Sequence, residues 1–228
     1  MKFGIIVAME EEIKHLVQAF DYYELHELAN QKIYDGFIGG IPVTVVQSGI
    51  GKVNASIASS LLIGQFQVEL VINTGSAGAI KTGLKIGDLV LSTELTYHDV
   101  DNRIFDYQYG QIPQMPEFYQ GDKDSIKKIE ALSAGNLKVH KGLIVSGDSF
   151  VSSVEETKRI KKYFPNALVT EMEGAAVAQT CYQFNIPFVV IRAVSDTADE
   201  SAEMDFDEFV QLAGQRSAEL VLAFIKNK

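Results

Sequence analysis

Between Val169 and Glu200 the chain reads VTEMEGAAVAQTCYQFNIPFVVIRAVSDTADE, and three of its side chains could share acid/base work. Glu173 and Asp196 each follow a strand-like apolar segment, and Arg192 interrupts the second of these. In open α/β sheets, ligands gather outside the carboxyl ends of parallel strands, where loops carry polar groups without disturbing the core. Two carboxylates and a guanidinium on neighbouring strand ends could move protons to and from a bound molecule. The same residues also have a plainer reading. Ser195-Asp196 could be a helix N-cap, and Glu173 could be a negative charge at a helix start. This stretch alone leaves both readings open.

The elements that must position these groups can be read from periodicity. Leu168-Val169-Thr170 is strand-like, Gly174 to Gln183 is a helix of small residues, and Asn185-Ile186-Pro187 is a turn. Phe188 to Val194 is apolar except at Arg192, the pattern of a strand buried on both faces. At the start of the chain, Phe3 to Ala8 reads as a buried strand. The helix after it carries Met9, Ile13, Leu16, Val17 and Phe20 on one face. Glu10, Glu11 and Glu12 occupy its first turn, where the macrodipole favours carboxylates. At 100° per residue Glu11 points away from the apolar stripe, while Glu10 and Glu12 flank it on opposite edges. Either could turn toward a site at the end of the first strand, and all three could equally be a solvated helix start.

Lys32–Gly39 and Ile41–Ser48 are expected to pair antiparallel about Gly39-Gly40. Gly49-Ile50-Gly51-Lys52-Val53-Asn54 resembles half a dinucleotide fingerprint, but Asn54 stands at the last glycine and no acidic residue ends the next strand. Leu70–Asn73 is expected to be a buried strand ending in Thr74-Gly75-Ser76-Ala77-Gly78. Those small residues would let a ligand approach the backbone, with free N–H groups as donors, or form an ordinary glycine turn. Leu84–Asp88 reads as a turn and Leu89–Ser92 as a strand. Thr96–Gln120, rich in Tyr and Phe, is long for a connection and reads as a lid, an interface or both. Asp124–Leu132 reads as a surface helix and Leu143–Ser146 as a strand. Ser153 and Glu156 form a capping box for a helix through Tyr163. Phe206, Phe209, Val210, Ala213, Leu220, Val221 and Phe224 mark a long amphipathic terminal helix.

The 228 residues suffice for one α/β domain spanning 1–228, and 46% apolar with 22% charged residues is ordinary for a soluble globule. A net charge of −10 argues against nucleic acid as the main partner. Cys181 is the single cysteine, so no internal disulfide forms, which suits a reducing cytoplasm. MKFGIIVA is too short for a signal peptide, and no apolar run approaches membrane-spanning length. His15, His26, His98 and His140 are not paired at ligand spacing, so no zinc site is expected.

Taken in order, GIIVAMEEEI, QSGIGKVNA, NTGSAGA, GLIVSGDSF, VTEMEGAAVA and IRAVSDTAD resemble the bacterial 5′-methylthioadenosine/S-adenosylhomocysteine nucleosidases over almost the whole chain. The resemblance implies an α/β fold of the purine nucleoside phosphorylase type: a mixed, partly barrel-like central sheet surrounded by helices. It implies a homodimer and adenosine thioethers as substrates. It implies Asp196 as the acid at purine N7, Glu12 as the residue that activates water, and Glu173 as acceptor for the ribose hydroxyls. Phe150 and Val151 match the adenine pocket. Met9, Ile50, Ser76, Ala77, Gly78, Met172, Arg192, Ser195 and Phe206 match its remaining lining. Phe105 and Pro113 match positions that reach the neighbouring subunit's site. Val7 and Asp106 stand where glycine is common in the family. Methionine and purine salvage, and supply of the autoinducer-2 precursor, are the implied roles.

Breaking an N-glycosidic bond needs a protonated acid on the leaving base and a carboxylate that activates water on the other face, as in inverting glycosidases. A phosphorylase on the same fold would need a cationic cradle. Of the four arginines, Arg103, Arg159, Arg192 and Arg216, only Arg192 falls in a site motif, and Glu10–Glu12 would repel phosphate. A sensor that only binds nucleosides would have no use for Glu12. Glu10, Glu11, Glu171 and Asp148 are read as first-turn, strand-end or turn residues. No metal or organic cofactor is expected, and water is the co-substrate.

Overall fold

In a computed structural model, which describes residues 1–132, 138–198 and 202–227, the chain forms ten strands and six helices. The strands are Phe3–Val7 (β1), Tyr22–Leu28 (β2), Gln31–Ile38 (β3), Ile41–Gln47 (β4), Leu70–Ala79 (β5), Leu89–Tyr97 (β6), Tyr119–Gln120 (β7), Val139–Ser146 (β8), Ala167–Glu171 (β9) and Phe188–Asp196 (β10). The helices are Glu10–Val17 (α1), Lys52–Gly64 (α2), Lys123–Leu132 (α3), Val154–Tyr163 (α4), Gly174–Phe184 (α5) and Ala202–Lys226 (α6).

β5 organises the sheet because it changes partners along its length. Its first half, from Leu70 to Asn73, pairs in parallel with β1. Its last residues, Gly78 and Ala79, pair antiparallel with β9, while β10 runs parallel along its other edge. Strands β10, β6, β8, β9 and β5 therefore close into a ring of five, and β1, β4, β3 and β2 continue from the first half of β5 as an open sheet. The expectation of a strand ending at Asn73 is corrected: Thr74–Gly78 is neither a turn nor a loop but the second half of β5. Small side chains let that segment bend out of one sheet into the other while it keeps its β10 pairing. A second correction concerns β9 and β10, which are not neighbours within the ring along the β9–β5–β10 path. β5 lies between them, and their site residues meet because β5 carries both.

The β3–β4 hairpin forms as expected, with Gly39 (φ 57°) and Gly40 (φ 75°) supplying the left-handed turn. β2 escaped the pattern reading because Tyr22, Tyr23 and Leu25 are exposed and nothing in YYELHEL marks a buried face. It is an edge strand held by its pairing with β3. Two cores sandwich the sheet. Phe3, Ile5 and Val7 of β1 pack under α1 and α6 with Leu16, Val221 and Phe224, and Ile6 faces α2 and α5 with Ala58, Leu62 and Val177. β1 is thus buried on both faces, as its unbroken apolar run required. A third, smaller core lies beneath α4, where Val145, Val151, Ile160, Phe164 and Ala198 meet.

The aromatic stretch is pinned rather than loose. Tyr109 stacks on Tyr163 of α4 at 4.0 Å between centroids, and the Arg103 guanidinium lies over both rings. Ile104 and Phe105, on a short 3-10 turn, face outward. Among the described residues, no helix is long and apolar enough to cross a membrane.

His98 ends up 1% exposed, with neither ring nitrogen hydrogen-bonded among the described residues. Burial, aided by Arg159 and opposed by Asp99, holds its pKa below the usual histidine value. The unfolded chain therefore binds a proton at pH values where the folded chain does not, and stability falls as the pH drops below about 6.5. Urea midpoints of the parent and His98→Leu at about pH 7.5 and pH 5.5 check this. The variant should lose less stability in acid, by about 1 kcal/mol per pH unit.

Candidate active site

The ends of β1, β5, β9 and β10 surround a cavity of about 300 Å³, a size suited to a small molecule. Glu12, in the first turn of α1, is buried at its base, while Glu10 is exposed. The alternatives that the helical wheel left open are thereby separated: Glu12 is the one that faces the cavity. Four donors hold its carboxylate. Ala8 N and Met9 N reach Oε2 at 3.1 and 3.2 Å, and Ser76 N and Oγ reach Oε1 at 2.9 and 3.1 Å. The Ser76 amide is therefore not a free donor awaiting a ligand, as the sequence suggested. Gly75 makes this approach possible, because a Cβ there would lie 2.6 Å from both Glu12 Oε1 and Arg192 Nη1.

Arg192 sits mid-strand in β10 and is 1% exposed. A guanidinium in that position must find compensating acceptors. Its Nη2 donates to Asn73 Oδ1 at 2.7 Å, to Glu171 Oε2, and to Glu173 Oε2 at 3.3 Å. Glu171 also accepts from Ser146 Oγ and from the amides of Glu173 and Gly174 at 3.0 and 2.8 Å. It thereby ties the start of α5 to the cation. The reading of Glu171 as a plain strand-end residue is corrected. The signal that could have found it was Arg192 itself, since a cation in a doubly buried strand requires a buried counter-charge nearby.

Glu173, 4% exposed, takes a further bond from Gly51 N at 2.8 Å, at the N-terminus of α2. Burial pushes its pKa up to about 7; Arg192 pulls it down, while Glu171 and Glu12 reinforce the rise. Asp196 is equally buried. Ser195 Oγ donates to its Oδ2 at 2.8 Å and Ala198 N to its Oδ1 at 2.9 Å. Asp148 keeps its turn role, accepting from Lys52 N at 2.8 Å.

The other wall is apolar. Phe150 and Phe206 meet edge to face at 5.5 Å, and Met9, Ile50, Val151 and Met172 complete this side, with Ser76, Ala77, Gly78 and Ser195 at the floor. Ala8, Ser149 and Thr170 also line the cavity, and sequence reasoning missed them because backbone position, not side-chain type, brings them there. Phe105 and Pro113 are exposed and do not line it. The cavity thus offers four acidic side chains, one guanidinium paired through its terminal nitrogens and an apolar wall. That arrangement can donate and accept protons around an uncharged, partly aromatic molecule.

A family model described as the phosphorylase superfamily matches residues 2–226. A 5′-methylthioadenosine/S-adenosylhomocysteine nucleosidase of Staphylococcus aureus is 49% identical over 223 residues, 97% of this chain and 98% of the relative. The solved nucleosidase of Neisseria meningitidis in complex with methylthio-immucillin-A is 43% identical with a TM-score of 0.98, covering 100% of this chain and 99% of that one. That of Streptococcus pneumoniae with the transition-state inhibitor MT-ImmA is 44% identical with a TM-score of 0.96, covering 99% of each.

Removing Glu171 would take from a buried cation the nearer of its two counter-charges. Glu171→Ala should cost roughly 3–5 kcal/mol of stability in urea unfolding, and Glu171→Ala with Arg192→Met should recover part of that loss.

Proposed function

The chain belongs to the 5′-methylthioadenosine/S-adenosylhomocysteine nucleosidases of the phosphorylase superfamily, and from that premise we propose that it hydrolyses the N-glycosidic bond of these two adenosine thioethers. The observation that carries this reading is the convergence of Glu12, Glu173 and Asp196, from three separate elements, on one cavity whose arginine is already paired.

In this reading Glu173 accepts from the ribose 2′- and 3′-hydroxyls, with Arg192 behind it. Adenine lies against Phe150, and the Val151 backbone meets its edge. As the C1′–N9 bond breaks, its electron pair goes to adenine and Asp196 delivers a proton to N7. Positive charge grows at C1′. Water attacks there from the opposite face and gives its proton to Glu12, so that one adenine and one thioribose leave for each water consumed. Solvent exchange then returns a proton to Asp196 and removes one from Glu12. Ser76 fixes Glu12 through both its amide and its hydroxyl.

Water rather than phosphate is the nucleophile, because a phosphate would meet a lining whose ionisable side chains are acidic apart from Arg192. Arg192 is the only Lys or Arg among the described lining residues, and it is already bound to Asn73, Glu171 and Glu173. The apolar wall also suits 5′-deoxyadenosine as a third substrate. Outward-facing Ile104 and Phe105 fit a homodimer in which the 3-10 turn, with Pro113, reaches a partner's cavity. The products return adenine and the thioribose to purine and methionine salvage.

Adenine release from 5′-methylthioadenosine should proceed without phosphate and yield free methylthioribose. A strict phosphate requirement would sink the hydrolase reading. Asp196→Asn should lower kcat by about 10²–10⁴-fold, and a near-normal rate would remove Asp196 from its role. With Glu173 titrating at about 7, its carboxylate, the better acceptor for ribose hydroxyls, is lost as the pH falls. KM should rise below that point by up to about tenfold per pH unit.

A further inference from the structure

Asp196 does not reach the cavity from a regular strand end. The register of β10 against β5 shifts between Val194 and Asp196, an irregularity of the kind that re-aims a side chain. Two residues later, Ala198 adopts a left-handed conformation (φ 49°), which costs an alanine free energy that a favourable contact must offset. Its amide is one of the donors that fix the Asp196 carboxyl, reaching Oδ1 at 2.9 Å.

The restraint comes from α4. The Thr157 hydroxyl donates to the Ala198 carbonyl. The Ala198 methyl is fully buried in the third core, with Val151 and Ile160. On the other side a Cβ at Gly78 would fall 2.7 Å from Asp196 Oδ1 and 3.0 Å from the Ala198 Cβ, so the turn is packed from both directions. The hydroxyl's choice of partner is informative. Buried hydroxyls inside helices commonly bond back to the carbonyl four residues earlier. Ser59 on α2 and Thr180 on α5 do so, whereas Thr157 reaches across to the turn that carries Asp196.

We propose that Thr157 is a positioning residue for the proton donor: its hydroxyl holds the left-handed Ala198 turn, and that turn's amide aims the Asp196 carboxyl at the leaving base. The inference rests on the reading of Asp196 as general acid. Thr157 touches no substrate and acts only through Ala198. Its loss therefore harms the step that needs a proton on the leaving group and spares ribose binding and water activation.

The test compares two substrates in each variant, so that the fraction of folded protein cancels in the ratio. One is 5′-methylthioadenosine. The other is p-nitrophenyl 5-methylthio-ribofuranoside, whose phenolate departs without a proton. Thr157→Val should lower kcat on the nucleoside by roughly ten- to a hundredfold with KM little changed, and leave the p-nitrophenyl rate within about twofold. Thr157→Ser should restore the ratio. Thr157→Ala reads the same ratio if the valine variant does not accumulate. Equal losses on both substrates, or no loss on either, would overturn the proposal. An unmutated protein that cleaves the p-nitrophenyl riboside but not the nucleoside would instead overturn the general-acid reading beneath it.

Discussion

A guanidinium in a strand with no solvent-facing side is the constraint from which the rest of the site follows. Moving Arg192 out of water costs several kcal/mol unless acceptors surround it, and β10 itself offers none. The acceptors come from three elements: Asn73 and the Ser76 carbonyl of β5, Glu171 at the end of β9 and Glu173 at the start of α5. Once those are held around one cation, Glu171 fixes the first amides of α5, and Glu173 draws in the N-terminus of α2 through Gly51. The concentration of like charge at the cavity is thus sustained by the ion at its centre.

β5 supplies the geometry that the ion pairs exploit. By leaving β1 for β9 half-way along, it brings the ends of strands from the open sheet and from the closed ring to a common point. Gly75 marks the crossing, where strand backbone, Glu12 and Arg192 come too close together for any side chain. Helix α1 is short, and its place over the end of β1 puts Glu12 rather than its acidic neighbours into the interior.

Much of this was legible in the chain. The apolar runs of β1 and β10 announced strands buried on both faces, and the small residues of α5 announced close packing. Ordered motifs, more than any single spacing, pointed to the carboxylates. Three things were hidden for physical reasons. The Thr74–Gly78 segment has too little side chain to reveal whether its backbone is turn or strand. β2 presents no buried face, so no alternation betrays it. Glu171 read as a plain strand-end residue because the need for it lies in Arg192, twenty-one positions later in the chain and across β5 from it. Long-range electrostatic demand leaves no local periodicity.

The floor of the cavity has a consequence for how the site could change over time. It is built of Ser76, Ala77, Gly78 and Ser195, and enlarging Gly78 would drive a methyl to 2.7 Å from the Asp196 carboxyl. The contact surface there is main chain, whose shape does not depend on which codon is present. A tight-binding inhibitor that drew its affinity from side chains of the apolar wall, from Met9, Ile50 or Phe206, could be escaped by a single substitution. One seated on the floor would face a surface that this chain can remodel only by displacing the Asp196 carboxyl.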